Sequence, residues 1–317
     1  MAANHPEIQV RSNVIRSVTL GVGSIAQDGK PTMQVTEAIR RITYSSWPGS
    51  SVVRKCIYRF GLGRSAQWLY TLARCHGKTV KLELNGVEGW FSAQTPAELR
   101  NVEGYVLFYE HEMLSAIQEI LKPGDVFLDV GSNRGIFTIF AAKAVGPHGM
   151  VVACEPATSA FNLLQRNTEI NHLNNVKLMK LALSDARSVR NLVIDDPTGL
   201  GLTSHLSDAD GPSEEVRTAD YDSLVAEAGL PVPRVVKMDI EGHEYAALKG
   251  MGKTLSSSAC VALFCEIHPY ALSPGIFARD VEALIESFGF TSVSMKTRRE
   301  ERQVTAMKHA TGTVIRQ

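Results

Sequence analysis

The chain has 317 residues, 44% of them hydrophobic and 21% charged, and its 33 basic and 33 acidic side chains cancel. These numbers fit an ordinary soluble globular protein with a sizeable core: one large domain with an appendage, or two small domains. No run approaches the ~20 apolar residues of a bilayer-spanning helix, which excludes that class.

The zero net charge is unevenly spread. Residues 1–81 hold 12 Lys/Arg against 3 Asp/Glu, and the remainder holds 21 against 30. A basic N-terminal part suits a peripheral membrane contact, an acidic substrate or nucleic acid, or simply a solvated face on an acidic main domain. It carries no evident RNA-binding signature, so no nucleic-acid partner is expected. The N-terminus, MAANHPEIQVRSN, lacks the apolar stretch of a signal peptide. Cys56, Cys75, Cys154, Cys260 and Cys265 are odd in number and form no CxxC pair. They read as reduced, core-packed thiols of a cytoplasmic protein.

Residues 1–34 are polar and read as a loose tail. From Val35 to Ala73 the pattern is helical, broken at WPGSS (47–51) and GLG (61–63). KTVKLELNGVEGWFSA (78–93) is a hairpin signal, with Val80, Leu82 and Leu84 alternating before the turn pair Asn85-Gly86. In YEHEMLSAIQEILKPG (109–124), Met113, Ile117, Ile120 and Leu121 predict a helix stopped by Pro123-Gly124.

Strands and helices then alternate. DVFLDVG, MVVACE, VKLMKLALS, RVVKMDI and CVALFCEIH predict strands, with VRNLVID a shorter one. GIFTIFAAKAVG, ATSAFNLLQRNTEIN, ADYDSLVAEAG, HEYAALKGM and ARDVEALIESFG predict helices. Residues 196–214 predict a long loop, and FTSVSM with TGTVIRQ a closing strand pair. Several strands are apolar throughout, as when both faces are covered. The expected fold is α/β, a doubly wound, mostly parallel, Rossmann-like seven-stranded sheet (105–317), preceded by a mainly helical N-terminal extension with a β-hairpin (1–104).

In such sheets ligands bind beyond the carboxyl ends of the strands. The first end reads D-x-G-x-N-x-G: Asp129, Gly131, Ser132, Asn133 and Gly135. Its glycines admit a ligand at close range. A dinucleotide loop would read G-x-G-x-x-G and hold a pyrophosphate, which a carboxylate would repel. Asp129 instead suits a cationic ligand, and S-adenosylmethionine, with its ammonium and sulfonium, fits. Glu155, 26 residues on and followed by Pro156, is placed to accept from ribose hydroxyls. Ser184 and Asp185 are candidates for the adenine amino group. Helix capping is the alternative for Ser132, Asn133, Ser184 and Asp185.

On the acceptor side, KMDIEGHE places Asp239, Glu241, His243 and Glu244 at one strand end, and CEIHP places Glu266 and His268 at a neighbour. His243 or His268 is the candidate base, with Asp239, Glu241 and Glu266 orienting the base or the acceptor. Asp239, Glu241, Glu266 and His268 also suit a divalent metal, the less favoured use. Glu244 reads equally as a helix N-terminal charge, and His268 as a strand-end residue. His205, in the long loop, is a candidate acceptor contact or a solvated loop residue.

LKPGDVFLDVGSNRGIFTIFAAKAVGPHGMVVACEP, LALSD and VVKMDIEGHEYAALKGM together resemble the FkbM family of S-adenosylmethionine-dependent methyltransferases, over roughly residues 105–317. The resemblance implies a class I methyltransferase acting on hydroxyl oxygens of sugars, glycolipids or polyketide-like molecules. Arg134 departs from the small residue usual after the Asn of the first loop. Two alternatives stand beside this one: an NAD(P)-dependent oxidoreductase, and a non-catalytic module that binds S-adenosylmethionine.

Overall fold

The computed structural model describes Trp68 and residues 71–75, 78–194, 204–206, 213–298 and 300–308. The tail, the breakers WPGSS and GLG, Cys56 and the strand TGTVIRQ lie outside the described residues. The chain divides after Arg74 into two compact units. Of the first, Trp68 and residues 71–74 are described and are helical. The second, Cys75–Gln317, contains the hairpin as well as the large sheet.

The hairpin forms as its turn pair demands. β1 (Thr79–Leu84) and β2 (Val87–Ser92) meet at Asn85 and Gly86, with φ of 50° and 79°. Helix α1 (Pro96–Gly104) was not expected. Its signal is the N-cap Thr95 followed by Pro96 and Glu98: Thr95 Oγ1 accepts from the Glu98 amide at 3.2 Å, and Glu98 Oε2 accepts from the amide of Gln94, the residue before the cap, at 2.7 Å. A π-helical turn (Tyr105–Tyr109) leads into the expected helix α2 (His111–Ile120).

The alternating part opens with β3 (Val126–Val130), α3 (Ile136–Val145), β4 (Met150–Cys154), α4 (Thr158–Ile170) and β5 (Val176–Met179). The strand expected over VKLMKLALS is two. After β5 the chain leaves the large sheet, and β6 (Ala182–Leu183) joins a four-stranded sheet with β7 (Ser188–Ile194), β8 (Ser204–Leu206) and β9 (Ser213–Ala219), in the order β6-β9-β7-β8. The expected loop over 196–214 therefore carries β8 and the start of β9. Then come α5 (Tyr221–Ala228), β10 (Val235–Asp239), α6 (Glu244–Lys249), α7 (Gly252–Ser256), β11 (Ala262–Ile267), α8 (Ala278–Ser287), β12 (Ser292–Arg298) and β13 (Glu301–Met307). Among the described residues the sheet closes with the antiparallel pair β12 and β13.

The large sheet has seven strands in the order β12-β13-β11-β10-β3-β4-β5, antiparallel only at β13. The winding reverses between β3 and β10, where such sheets open a crevice. The expected doubly wound α/β class is this architecture. All six residues of β11 are buried, as a strand covered on both faces requires. The hairpin packs on α3 through Phe91 and Phe140, ring centroids 5.8 Å apart. Cys154, Cys260 and Cys265 are free and buried, and Cys75 is half-buried. Among the described residues no helix is long and apolar enough to cross a membrane.

Candidate active site

One cavity opens at the reversal. One wall is the loop after β3, Gly131 to Arg134, continued by Ile136 and Phe137. The second is the end of β4, with Glu155 and Pro156. A third is apolar: Leu181 to Leu183, with Leu192 and Leu206 from the small sheet. The fourth is the end of β10, with Lys237, Asp239, Ile240, Glu241 and His243, and Tyr105 also lines the space.

The loop is shaped by close approach. Gly131 sits at φ +74°, and a Cβ there would lie 2.0 Å from the Asp239 carbonyl oxygen, so only glycine fits. Its amide and that of Ser132 both donate to the Cys154 carbonyl at 3.0 Å. Asn133 is left-handed at φ 49°, and its buried Oδ1 has no hydrogen-bond partner. The Arg134 carbonyl accepts from Asn167 Nδ2 of α4 at 2.7 Å. Arg134 itself is buried on the cavity wall.

Asp129 has a partner within the protein. It is fully buried and off the cavity wall, and its cation comes from the protein. Oδ2 accepts from Thr138 Oγ1 at 2.5 Å, and Oδ1 lies 3.6 Å from Lys237 Nζ. The positive charge that this carboxylate calls for is therefore, at first contact, a lysine one strand over. Lys237 was missed because it interrupts an apolar strand. A buried lysine there needs a counter-ion, and the parallel register pairs it with Asp129.

Glu155 does line the cavity, with one oxygen on the Asn133 amide at 2.8 Å and the other on the Ala157 amide at 2.9 Å. Burial pushes its carboxyl up to about 7 despite these donors. Ser184 and Asp185 lie off the wall, and Asp185 is exposed and 3.4 Å from Lys249 Nζ. The chain turns into the small sheet at β6, so Leu181, Ala182 and Leu183 face the cavity in their place. Gly135, at φ +85°, caps α3 from outside the wall. His205 is likewise displaced: Leu206, the next residue along β8, holds the wall position.

Asp239, Glu241 and His243 reach the cavity together. His243 Nε2 is 3.0 Å from Ser184 Oγ. Burial, aided by the Arg190 charge, lowers its pKa and keeps the imidazole neutral. His268 is different. It is 2% exposed and off the wall, with Nδ1 2.9 Å from Glu244 Oε1. Its Nε2 is 3.5 Å from Glu241 Oε2 and 3.7 Å from Asp239 Oδ1. Burial pulls its pKa down, but the Glu244 hydrogen bond and the Asp239 and Glu241 charges outweigh it, to about 9. An imidazolium at neutral pH is no base, and of the two candidate histidines His243 is the one on the cavity wall. Burial raises the Glu241 carboxyl, and His268 opposes the rise. Glu266 is buried behind this group, off the cavity. Asp239, Glu241 and His268 offer three donor atoms within 4.8 Å of one another, and the protonated His268 lies beside both carboxylates.

These residues fit S-adenosylmethionine on three observations: the side-chain-free approach at Gly131, the unpartnered Asn133 Oδ1, and an apolar slot beside the Glu155 carboxylate. The Methyltransferase FkbM domain family matches residues 129–292, just over half of the chain. The hexuronic acid methyltransferase AglP of Haloferax volcanii is 28% identical over 220 residues, 69% of this chain and 84% of that protein. The 31-O-demethyl-FK506 methyltransferase FkbM of Streptomyces tacrolimicus is 28% identical over 203 residues, 55% of this chain and 75% of that protein. A crystal structure of methyltransferase FkbM from Methylobacillus flagellatus KT has a TM-score of 0.40 and 16% identity. That match covers 67% of this chain and 54% of the other, so the chain spans about half the length of that structure. The matched segment begins at Asp129, ends in β12 and contains both the glycine loop and the β10 rim, and the chain belongs to the FkbM family of S-adenosylmethionine-dependent methyltransferases.

Proposed function

We propose that the protein methylates an oxygen of a small-molecule or glycan acceptor, a hydroxyl on a sugar, glycolipid or polyketide-like molecule. One observation carries this: a single cavity joins the Gly131 loop and Glu155 on one side to Asp239, Glu241 and His243 on the other. The names of the two relatives, a hexuronic acid methyltransferase and a 31-O-demethyl-FK506 methyltransferase, support an oxygen acceptor of that kind.

When bound, S-adenosylmethionine supplies a methyl group already activated on sulfur. Gly131 to Asn133 and Glu155 would hold it, with Leu181 to Leu183 against its flat base. The remaining work is alignment and proton removal, and alignment alone supplies about 7–11 kcal/mol in well-oriented reactions. Asp239 and Glu241 accept hydrogen bonds from the acceptor and fix its approach. His243, neutral and steadied by Ser184 at one ring nitrogen, takes the hydroxyl proton at the other. His268 keeps the two rim carboxylates from repelling each other.

The test pairs calorimetry with mass spectrometry. The protein is expected to bind S-adenosylmethionine and S-adenosylhomocysteine but not NAD, and to add 14 Da (about one CH₂ unit) to a member of a panel of glycosides and uronic acids. His243→Gln is expected to keep S-adenosylhomocysteine affinity within about twofold while transfer falls about 10²–10⁴-fold. Full transfer by that variant would remove His243 as the base. Absence of binding to either S-adenosyl ligand would sink the function itself.

A further inference from the structure

Lys237 is a buried charge at the cavity to which the proposed transfer gives no part. Its strand neighbours Val235, Val236 and Met238 are buried and apolar, and Lys237 is itself 4% exposed. An ammonium in such surroundings persists only if several acceptors surround it. Three do, and each belongs to a different part of the site. Nζ donates to the Gly131 carbonyl at 2.8 Å. It lies 3.6 Å from Asp129 Oδ1 and 3.8 Å from Asp239 Oδ2. It also sits 5.1 Å from the ring centroid of Phe137, in the first turn of the helix after the loop.

Strand register accounts for the convergence. Lys237 and Asp129 are Cα partners across the parallel pair β10–β3. Asp239 is two residues further along β10, so its side chain leaves the same face of the sheet. Thr138 occupies the other oxygen of Asp129 and leaves Oδ1 turned to the lysine. Burial lowers the lysine's pKa, but Asp129 and Asp239 more than compensate and raise it above the ordinary value. Lys237 therefore stays charged and neither gives nor takes a proton in the transfer.

We propose that Lys237 is the positioning residue of the methyl transfer: with Asp129 as buried counter-ion, its ammonium holds the Gly131 carbonyl of the cofactor loop in register with Asp239 on the acceptor side. An in-line displacement depends on the spacing of donor and acceptor, and a misplacement of about 1 Å lowers rates about a hundredfold. The close contact of Gly131 with the Asp239 carbonyl sets how near the two sides approach, and Lys237 sets where along that contact they lie. The arrangement also gives Asp129 a function despite its distance from the cavity wall.

The competing role is purely structural, a lysine that only neutralises Asp129. Removing both charges would then be nearly neutral for ligand binding, because a buried ion pair is often replaceable by groups of similar shape. S-adenosylhomocysteine titrations with parallel thermal melts separate the two, on the wild type, Lys237→Arg, Lys237→Met and the double variant Asp129→Asn with Lys237→Met. The single methionine variant leaves Asp129 unpaired, and its melt reports that loss. The double variant carries no unpaired charge at Asp129. It is expected to melt near the wild type yet bind S-adenosylhomocysteine about tenfold to a hundredfold more weakly, the size of one lost charged hydrogen bond. Lys237→Arg keeps the cation and is expected to recover most of that affinity. In the wild-type background Asp239→Asn should weaken binding, and in the double-variant background it should change binding little, since the link between the two walls is already cut. A double variant that binds like the wild type overturns the proposal. So does a folded arginine variant that binds as poorly as the double variant.

Discussion

Three carboxylates crowd one imidazole at the end of β11, and His268 holds about 9 as its pKa against an ordinary 6.5. A histidine whose folded pKa is raised adds stability that is fully present below the unfolded value and is lost as pH rises through the folded one. The window here is therefore about pH 6.5 to 9, and the contribution reaches about 3 kcal/mol at its low end. His268→Gln is expected to be less stable than the wild type at pH 6 by up to that amount, and the gap should close by about pH 9.5. Urea unfolding at both pH values checks this, and an equal gap at both would show that the charge is not what matters. The same residue shows what sequence conceals at this scale. CEIHP and DIEGHE offered two histidines of equal standing as bases. What separates them is depth: His243 faces the cavity beside Ser184, and His268 lies behind it on Glu244. Linear spacing does not encode depth, and for the same reason it left Asp129 as a ligand residue and Lys237 unnoticed.

At the scale of elements, the long alternating stretch was legible because parallel strands buried on both faces read as unbroken apolar runs. The small sheet was not. Its strand β9, SEEVRTA, is mostly polar on one face and follows a stretch rich in turn formers, so its pairing with β7 is a tertiary choice rather than a local one. That choice matters to the site. Leu192 of β7 sits opposite Leu206 of β8, and both face the cavity. Leu192 is 2% exposed and packs in a minor core with Ala157, Ala160 and Val216. Leu192→Ala is expected to lower stability by about 2–5 kcal/mol, seen as a shift of the urea midpoint with unchanged slope. An unmoved midpoint would mean that the small sheet is not coupled to the folding of the rest. Two asparagines of α4 do comparable work on the other side. Asn167 accepts from the Ser92 amide at 2.8 Å while donating to the Arg134 carbonyl, and Asn171 exchanges two hydrogen bonds with the backbone of Trp90. The open edge of β2 is thereby closed by side chains that imitate a strand, and the cofactor loop is tied to the hairpin through one residue.

Over the whole molecule, the division after Arg74 leaves the sheet, the hairpin and the cavity residues in one compact unit. A chain beginning at Cys75 is expected to unfold in one cooperative step and to bind S-adenosylhomocysteine within about threefold of the full chain. Loss of either property would show that residues 1–74 complete the site. Fold class was readable from sequence because it follows from alternation and apolar runs, which are repeated many times along the chain. FTSVSM marked β12, but β13 was not foreseen, because it depends on a partner, β11, that ends at Ile267, long before β13 begins at Glu301. That placement has a consequence for synthesis. β13 lies between β11 and β12, so β12 leaves the ribosome before any strand it pairs with in the large sheet. At about 5–20 residues per second, the mostly apolar edge of β11 waits some seconds for β13 to arrive. During that interval β11 has one edge on β10 and the other open, a mostly apolar edge exposed to mispairing until β13 covers it.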